Sequence, residues 1–196
     1  MFATICCMVT VGIDEVGRGC WAGPLVAGAV VLPKRAEDGP AGLRDSKKLS
    51  KLRRQKLTVD INEKALAIGL GWVSPAEIDE IGLTKAVGLA MERALDQIAI
   101  AFDEIIIDGN VNYFPGDRRA RAIVKADDSV PSVSAASIVA KVARDSYMAG
   151  LDEKYAGYGF DKHVGYGTAA HIAALQLLGV SDIHRLSYKP IQALLA

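Results

Sequence analysis

The chain has 196 residues, of which 51% are hydrophobic and 23% are charged, a balance typical of a globular protein with a sizeable core. Its 23 basic and 23 acidic residues give no net charge, so bulk charge does not favour a nucleic-acid-binding protein. No apolar run reaches the roughly 18 residues that a membrane helix needs, and the N-terminus lacks the basic region of a signal peptide. We therefore expect one domain, residues 1–196, located in the cytoplasm and without membrane contact.

Hydrophobic periodicity predicts strands first and then strands alternating with helices. Five strands are predicted over residues 8–14, 25–32, 66–73, 104–108 and 121–125. Helices are predicted over residues 50–63, after Ser74-Pro75, and over residues 83–98, 133–149 and 168–178, with residues 34–46 as a loop. This order is typical of a mixed sheet with helices on its faces.

Acidic residues lie at the ends of several predicted strands. Asp14 and Glu15 end the first strand, Asp108 ends the fourth, and Asp127 follows the fifth. Functional groups in open α/β sheets gather at the carboxyl ends of strands. Carboxylates at the end of a buried strand need a partner, and a hard divalent cation is a common one. For any single acid the alternative is a solvated loop residue or a helix cap, but four such junctions together indicate a site for Mg²⁺ or Mn²⁺.

The remaining acids, histidines and cysteines fit structural roles. We interpret Asp45 as a turn or cap acid, Asp128 as an exposed neighbour, and Asp145 as an ion-paired or packing residue. The three histidines have no spacing typical of a zinc site: His163, His171 and His184. The three cysteines are too few and too close for a disulfide framework, and we expect small buried hydrophobic residues: Cys6, Cys7 and Cys20.

Two basic clusters flank the acidic positions in the sequence. The first is Lys47, Lys48, Lys51, Arg53, Arg54 and Lys56, and the second is Arg118, Arg119, Arg121 and Lys125. Each could be a solvated face, as we expect for Arg53 and Arg54, but clusters beside an acidic site also fit a groove that follows phosphates. Gly17-Arg18-Gly19 can bring backbone N–H and C=O groups close to another molecule, or can form a tight turn. Metal-binding acids beside such a loop suggest phosphodiester chemistry.

The segment Gly12-Ile-Asp-Glu-Val-Gly-Arg-Gly19 resembles the N-terminal signature of the type 2 ribonuclease H family, in particular bacterial ribonuclease HII. Further segments match in order over about residues 12–188: Asp45–Leu49, Ile107–Gly109, Lys125–Asp127, Ser134–Asp145, His163–Thr168 and His184-Arg185. The resemblance implies the α/β ribonuclease H-like fold. That fold has a mixed five-stranded sheet, with three antiparallel and then parallel strands, flanked by helices and followed by a helical C-terminal part.

The resemblance also implies an activity. Asp14, Glu15, Asp108 and Asp127 match the catalytic acids, which would hold two Mn²⁺ or Mg²⁺ ions roughly 4 Å apart. One ion would activate water and the other would stabilise the leaving 3′ oxygen, giving a 3′-hydroxyl and a 5′-phosphate. The implied substrates are RNA–DNA hybrids and duplex DNA with embedded single ribonucleotides, cut on the 5′ side of the ribonucleotide. We expect a monomer, with a sliding clamp as a further candidate partner.

Selection of the ribonucleotide is implied to depend on a second group of residues. The 2′-hydroxyl alone distinguishes a ribonucleotide at a given sugar, and Gly17, Arg18 and Gly19 would contact it through their backbone. Tyr166 would stack against the sugar on the 3′ side of the cut, although a core tyrosine is the usual alternative. Ser46 and Lys47 would bind the substrate, Lys47 at a phosphate, with Lys48 as a further candidate.

Three alternatives remain open at this point. Ribonuclease HIII has the same chemistry but normally carries an extra N-terminal domain, and only a short segment precedes Asp14 here. A non-catalytic hybrid-binding module would be expected to lack at least one of the four acids, all of which are present. The last segment, residues 188–195, fits either a peptide for a clamp or an amphipathic packing helix.

Overall fold

The computed structural model of the chain describes residues 8–43 and 46–195. Cys6, Cys7 and Asp45, whose roles the sequence predicts, lie outside these residues. Five strands form one sheet: β1 (Thr10–Val16), β2 (Leu25–Val31), β3 (Ala67–Val73), β4 (Glu104–Asp108) and β5 (Ala120–Ile123). Their order is β3-β2-β1-β4-β5, antiparallel across β3, β2 and β1 and parallel across β1, β4 and β5. The predicted ribonuclease H-like sheet is therefore confirmed.

The register of β1 places its acids at the edge of the parallel half of the sheet. Its pairing with β4 ends at Ile13 and Ile107, whereas its pairing with β2 continues to Val16. Asp14 and Glu15 therefore lie inside β1 and not at its end, where the sequence pattern predicts them. Both acids nevertheless lie just beyond Ile13, the last residue of β1 that pairs with β4. Asp14 and Asp108 therefore occupy equivalent positions on adjacent strands.

The first two helices begin where their capping residues predict. The helix α1 (Lys51–Lys64) starts after Ser50, whose side chain accepts a hydrogen bond from the Arg53 N–H. The helix α2 (Pro75–Ile81) has a complete capping box between Ser74 and Glu77. The amphipathic α3 (Leu83–Leu95) follows directly. The other helices are α4 (Ala126–Ser129), α5 (Pro131–Gly150), α6 (Phe160–His163), α7 (Ala169–Leu178) and α8 (Lys189–Leu195).

Helices cover both faces of the sheet. The face of β1 that carries Ile13 packs against α3, and the opposite face packs against α5. A Cβ atom on Gly12 or Gly28 would clash with the backbone of α5, so these glycines let the helix approach β1 and β2 closely. The close approach places the inner face of α5 beside Asp14. Within the residues described, no helix is both long and apolar enough to cross a membrane.

Two buried arginines join the C-terminal helices to the segment after β1. Arg144 on α5 donates to the carbonyls of Ala22, Pro24 and Val164. Arg185 donates to the carbonyls of Gly23 and Arg18. A buried guanidinium is costly unless its N–H groups have acceptors, and the carbonyls supply them. This network fixes residues 17–24 against the C-terminal part of the chain.

Candidate active site

Three acids converge at the carboxyl end of β1 and β4. Asp14, Asp108 and Asp127 each offer an oxygen, and these oxygens all lie within 4.8 Å of one another. We call these three residues the acid group. Asp14 and Asp127 are buried, and Asp108 is half-buried. The parallel register of β1 and β4 explains the proximity of the first two acids, and the turn after β5 brings the third.

The third acid, Asp127, is positioned by the helix α4, which the sequence did not predict. Lys125 adopts φ 59°, and α4 begins immediately after it. A positive φ is uncommon for a residue with a Cβ atom. The Asp108 carboxylate accepts hydrogen bonds from the N–H groups of Ala126 at 2.7 Å and Asp127 at 3.4 Å. The first turn of α4 is therefore fixed to β4 by one of the acids itself.

Burial makes Asp14 difficult to ionise. Desolvation raises the pKa of Asp14 from its ordinary value of 3.8 to about 8. A hydrogen bond from Ser137 opposes this shift, while the charges of Glu15 and Asp108 add to it. Because a bound cation would favour the charged carboxylates, metal binding and ionisation of Asp14 are coupled.

The donor set fits a hard divalent cation. All three ligands are carboxylate oxygens, which Mg²⁺ and Mn²⁺ prefer over nitrogen or sulfur. The oxygens are close enough to share one ion, and the buried Asp14 has a pKa that a cation would lower. The residues present are therefore chemically suited to hold Mg²⁺ or Mn²⁺.

Glu15, the fourth predicted acid, lies outside the acid group. Its carboxylate is 3.6 Å from the Arg18 guanidinium, and successive residues of a strand point to opposite faces of the sheet. Burial raises the pKa of Glu15, the Arg18 charge lowers it, and the Asp108 charge raises it further. Glu15 still lines the same cleft as Asp14, so it faces the space in front of the acid group.

A cleft of about 330 Å³ opens in front of Asp14 and Glu15. We call it the acid cleft. Six of the residues predicted to bind substrate line it: Gly17, Arg18, Gly19, Ser46, Lys47 and Tyr166. The acid cleft thus brings together residues that are far apart in the sequence.

The loop of residues 17–19 is both a turn and a wall of the acid cleft. Cys20 N–H donates to the Gly17 carbonyl, and Gly17 has φ 86°, a conformation that favours glycine. A Cβ atom on Gly19 would meet no other atom within 4 Å, so the space beside it is open. The Arg18 carbonyl accepts a hydrogen bond from the Tyr188 hydroxyl at 2.7 Å. The conformation of the loop is therefore set by contacts within the protein.

Ser46 and the residues of the first basic cluster have different surroundings. Ser46 is buried, and its hydroxyl lies 2.9 Å from that of Ser137, so it supports the wall of the acid cleft. Arg54 was expected to face solvent, but it is half-buried and donates to the carbonyls of Ser46 and Leu49. It therefore holds the turn that carries Lys47. Arg53 is exposed, as predicted.

Two of the four members of the second basic cluster form surface ion pairs. Arg119 pairs with Asp117 at 2.8 Å, and Arg121 pairs with Glu104 at 2.6 Å. These contacts favour a solvated face for this cluster. Asp128, the exposed neighbour of Asp127, forms an ion pair with Lys48 at 2.6 Å. This acid therefore also takes part in a surface ion pair.

Tyr166 lies on the surface, in the turn between α6 and α7. We call residues 163–168 the Tyr166 turn. The ring is 39% exposed, so the alternative of a core tyrosine is wrong. Burial of the hydroxyl raises the pKa of Tyr166 to about 12, and this hydroxyl hydrogen-bonds with the Cys20 thiol. Cys20 is buried, as predicted, and burial raises the pKa of its thiol.

A second cleft of about 430 Å³ begins on the other side of Tyr166. Tyr166 and Lys141 line both clefts and form the ridge between them. Four basic side chains line the second cleft: Lys51, Arg54, Lys141 and Lys162. Only two acids accompany them, Asp145 and Asp161, so the second cleft has an excess of positive charge.

The sequence interpretation assigned no role to two residues of α5 at this site. Ser137 hydrogen-bonds with Asp14, and the Lys141 ammonium lies 5.6 Å from the centre of the Tyr166 ring. Lys141 also pairs with Asp145 at 2.9 Å, which confirms Asp145 as an ion-paired residue. Ser137 and Lys141 are four residues apart and share one face of the helix. The four-residue spacing is the sequence pattern that could have identified both residues, but only if α5 is already known to pass close to the acids.

Comparison with known proteins places these features in a family. The family model described as Ribonuclease HII matches residues 11–191. Ribonuclease HII of Laribacter hongkongensis is 50% identical over 187 residues, which are 94% of this chain and 93% of that protein. The crystal structure of ribonuclease H2 from Pyrococcus horikoshii has a TM-score of 0.82 at 28% identity and covers 95% of this chain and 97% of its own. The PCNA:RNase HII complex from Archaeoglobus fulgidus has a TM-score of 0.76 at 28% identity, with coverages of 93% and 96%.

Proposed function

The chain belongs to the ribonuclease HII family and is a metal-dependent endoribonuclease of that family, and we propose that it cuts duplex DNA on the 5′ side of an embedded ribonucleotide. The family assignment separates the chain from ribonuclease HIII, the closest alternative. RNA–DNA hybrids are the broader substrate class. The observation that carries the proposal is that Asp14, one of the three converging acids, lines the same cleft as the loop of residues 17–19 and Tyr166.

The acids supply the reactive end of the acid cleft. We assign Asp14, Glu15, Asp108 and Asp127 as the catalytic and metal-binding residues, with Mg²⁺ or Mn²⁺ as the cofactor and two ions during the reaction. When bound, such ions activate water and stabilise the leaving 3′ oxygen, giving a 3′-hydroxyl and a 5′-phosphate. The chain itself holds Asp108 through the N–H groups of α4 and Asp14 through Ser137, so both carboxylates are oriented before substrate arrives.

The loop of residues 17–19 recognises the ribose. The open space beside the exposed Gly19 leaves its backbone accessible and admits the sugar, whereas Gly17 is buried against Arg144 and supplies the turn of the loop. A site that hydrogen-bonds the 2′-hydroxyl discriminates strongly against deoxyribose, because its polar groups are left unpaired when the hydroxyl is absent. Since the Tyr188 hydroxyl and Arg185 already hold the Arg18 carbonyl, the loop keeps its shape without substrate.

The two clefts define a path for the nucleic acid strand. Tyr166 meets the sugar on the 3′ side of the cut, and the strand then crosses the ridge into the second cleft. Lys47 in the acid cleft and Lys162 in the second cleft contact backbone phosphates. Phosphate contacts of this kind position the substrate without reading its base sequence.

The sliding clamp and the cytoplasmic location stay predictions. The Archaeoglobus fulgidus relative was solved with PCNA, and we propose a corresponding clamp for this chain. Ile191 of α8 is buried, so α8 packs against the protein and only exposed residues such as Leu194 and Leu195 could reach a clamp. Replacing both leucines by alanine should weaken binding to the clamp of the same organism in surface plasmon resonance without changing cleavage of a short duplex.

Incubation with a labelled RNA–DNA hybrid tests the proposed chemistry. We expect cleavage of the RNA strand in the presence of Mn²⁺ or Mg²⁺, none with a chelator, and none of an all-DNA duplex. Asp127→Asn should be inactive, while Asp96→Asn, at an exposed acid after α3 that lines neither cleft, should cleave normally. Cleavage that persists after complete removal of divalent ions would contradict the proposal.

A further inference from the structure

Three histidines outside the acid cleft form a buried cluster in the C-terminal part. His163, His171 and His184 are all buried, and the rings of His163 and His171 stack with centroids 4.4 Å apart. The Phe160 ring packs against all three imidazoles at 5.6 to 5.9 Å. Imidazoles in such apolar surroundings need hydrogen-bond partners for their nitrogens.

The hydrogen bonds assign the tautomers of two of these rings. Nδ1 of His184 lies 3.0 Å from the Ser181 N and 2.8 Å from its hydroxyl, both of which can donate, and 3.3 Å from the Ser181 carbonyl. The two shorter contacts favour an Nδ1 without a proton, so we assign the proton to Nε2. Nε2 of His184 lies 3.0 Å from Nε2 of His171. His184 must therefore donate and His171 must accept. This leaves the proton of His171 on Nδ1, which donates to the Tyr166 carbonyl at 3.0 Å.

The result is a continuous chain of hydrogen bonds from Ser181 to Tyr166. We call it the histidine relay; its rings are His184 and His171. Each link has one donor and one acceptor, so the relay is complete only when both rings are neutral. Burial lowers the pKa of His171 to about 4 and also lowers that of His184, which agrees with two neutral rings. The charge of Asp182 raises the pKa of His184, and His163 lowers the pKa of both rings.

The third histidine adds a parallel connection to the Tyr166 turn. Gly165 N–H donates to Nδ1 of His163 at 3.2 Å, so Nε2 of His163 carries the proton and donates to the Tyr158 carbonyl at 2.7 Å. His163 therefore holds the residue directly before Tyr166. Both connections end on the backbone of the same turn.

The Tyr166 turn needs such support because part of its backbone is unfavourable. Val164 has φ 45°, a left-handed conformation that a β-branched residue rarely adopts. A residue of this kind persists only where its surroundings determine its conformation. Arg144 donates to the Val164 carbonyl, and the Tyr166 carbonyl accepts from both Thr168 N–H and His171.

We propose that His171 and His184 are positioning residues that fix the Tyr166 ring on the ridge between the two clefts. The proposal rests on the proposed function for the contact of Tyr166 with the substrate. It adds that preference for a single ribonucleotide depends on buried side chains that touch neither metal nor substrate. Breaking the relay should therefore weaken cleavage at a single embedded ribonucleotide more than cleavage of a long hybrid, in which many sites are available.

The variant His171→Phe tests the relay, because it fills the space but removes the donor to the Tyr166 carbonyl. We expect the ratio of single-ribonucleotide to long-hybrid cleavage to fall roughly tenfold, the scale of one lost buried hydrogen bond. His171→Asn keeps an N–H at the position of Nδ1 and should recover much of this ratio. Tyr158→Phe removes a hydroxyl hydrogen bond to the Gly179 carbonyl in the same cluster and should leave the ratio unchanged. Equal ratios in His171→Phe and the parent would overturn the proposal.

Two measurements without substrate separate this proposal from the proposed function. Nitrogen-15 NMR of labelled histidine should show an Nδ1–H tautomer for His171 and an Nε2–H tautomer for His184 at neutral pH. Amide hydrogen exchange followed by mass spectrometry should speed up in residues 163–168 of His171→Phe and stay unchanged in β1 and β4. The opposite tautomers, or unchanged exchange in the turn, would overturn the relay even if the parent is selective. A parent without preference for ribonucleotides would overturn the proposed function alone.

Discussion

Asp14 of the acid group and Tyr166 line the same cleft, but the acid group and the Tyr166 turn are built in different ways. The acid group stands on adjacent parallel strands, and its geometry follows from the register between β1 and β4. The Tyr166 turn lies between two helices, and its geometry follows from buried polar side chains and arginines that come from distant parts of the chain. The first region is assigned to bond cleavage and the second to the choice of bond.

Both regions nevertheless share one local feature, a non-glycine residue with a positive φ angle. Lys125 precedes Asp127 by two residues and has φ 59°, and Val164 precedes Tyr166 by two residues and has φ 45°. These are the non-glycine residues with positive φ in the described part of the chain. Unfavourable backbone conformations of this kind cluster at functional sites, because the surrounding contacts must hold them. The two residues differ in the contacts that hold them. The Asp108 carboxylate holds the backbone after Lys125, whereas Arg144 and the histidine relay hold the backbone around Val164.

If the acid group carries the chemistry, Asp108→Asn should show the largest effect. We expect cleavage of every substrate to fall on the order of a thousandfold or more, since several kcal/mol of transition-state stabilisation would be lost. The metal-free protein should stay folded or become more stable, because one repulsive charge is gone and the amide oxygen can still accept from the Ala126 N–H. Asp128→Asn, a change on α4 next to Asp127, is the control and should keep most activity. Near-normal turnover of Asp108→Asn would remove that residue from the site.

If the Tyr166 turn carries selection, Tyr166→Ala should affect substrates unequally. Cleavage at a single embedded ribonucleotide should fall roughly tenfold or more, by analogy with base–aromatic stacking of about 1–3 kcal/mol. Metal affinity, measured by calorimetry, should not change, because the ring is not a ligand. Tyr166→Phe should retain most activity if stacking dominates, although it loses the hydrogen bond with Cys20. Equal cleavage of the single-ribonucleotide substrate by Tyr166→Ala and the parent would refute the assignment.

Lys47 should contribute equally to the binding of all duplexes. This role differs from cleavage, assigned to the acid group, and from selection, assigned to the Tyr166 turn. Lys47→Gln should weaken binding to hybrid and to ribonucleotide-containing DNA alike and should reduce the slope of log affinity against log salt by about one. Arg53→Gln is the control, because Arg53 is exposed on α1 and does not line either cleft. Fluorescence anisotropy at several salt concentrations measures both quantities. A loss confined to one base sequence would contradict a phosphate contact.

The remaining expected effect is on the stability of the metal-free protein, and it involves no substrate. Asp14 has a pKa of about 8 in the folded chain and about 3.8 when unfolded, so between these values the folded state binds more protons. The free energy of unfolding should therefore fall as pH rises from about 4 to 8, and the raised pKa of Glu15 acts in the same direction. Thermal melts should show this decline, Mn²⁺ should reverse it near pH 8, and Asp14→Asn should flatten it. Higher metal-free stability at pH 8 than at pH 5 would contradict the burial of Asp14.

The acid group was largely predictable from the sequence, and the reason is the regularity of strands. Apolar runs that end in acids place those acids at one edge of a parallel sheet, so the sequence pattern alone brings Asp14 and Asp108 together. The same pattern marked Glu15 and Asp127 at strand junctions, and the resemblance matched all four acids to the catalytic residues of the family. Whether Glu15 shares an ion with the others depends on the face of β1 that it occupies, and that in turn depends on the register with β2.

The support of the Tyr166 turn could not be predicted, because its contacts are long-range and polar. His163, His171 and His184 have no spacing typical of a zinc site, and their sequence positions give no sign that they stack. Arg54 was expected to face solvent, since a basic run on a helix usually does, but two carbonyls of the preceding turn accept its N–H groups. The short helices α4 and α6 were missed because four residues are too few to show a helical period.

The most direct test of the division between cleavage and selection is the position of the cut. A duplex with one ribonucleotide, labelled at the 5′ end of that strand, should be incubated with the parent chain and Mn²⁺, and the products should be resolved to single nucleotides. We predict one cut on the 5′ side of the ribonucleotide, leaving a 3′-hydroxyl on the labelled DNA fragment, and no cut in the same duplex made entirely of DNA. A cut on the 3′ side of the ribonucleotide, or cleavage of the all-DNA duplex, would contradict the account.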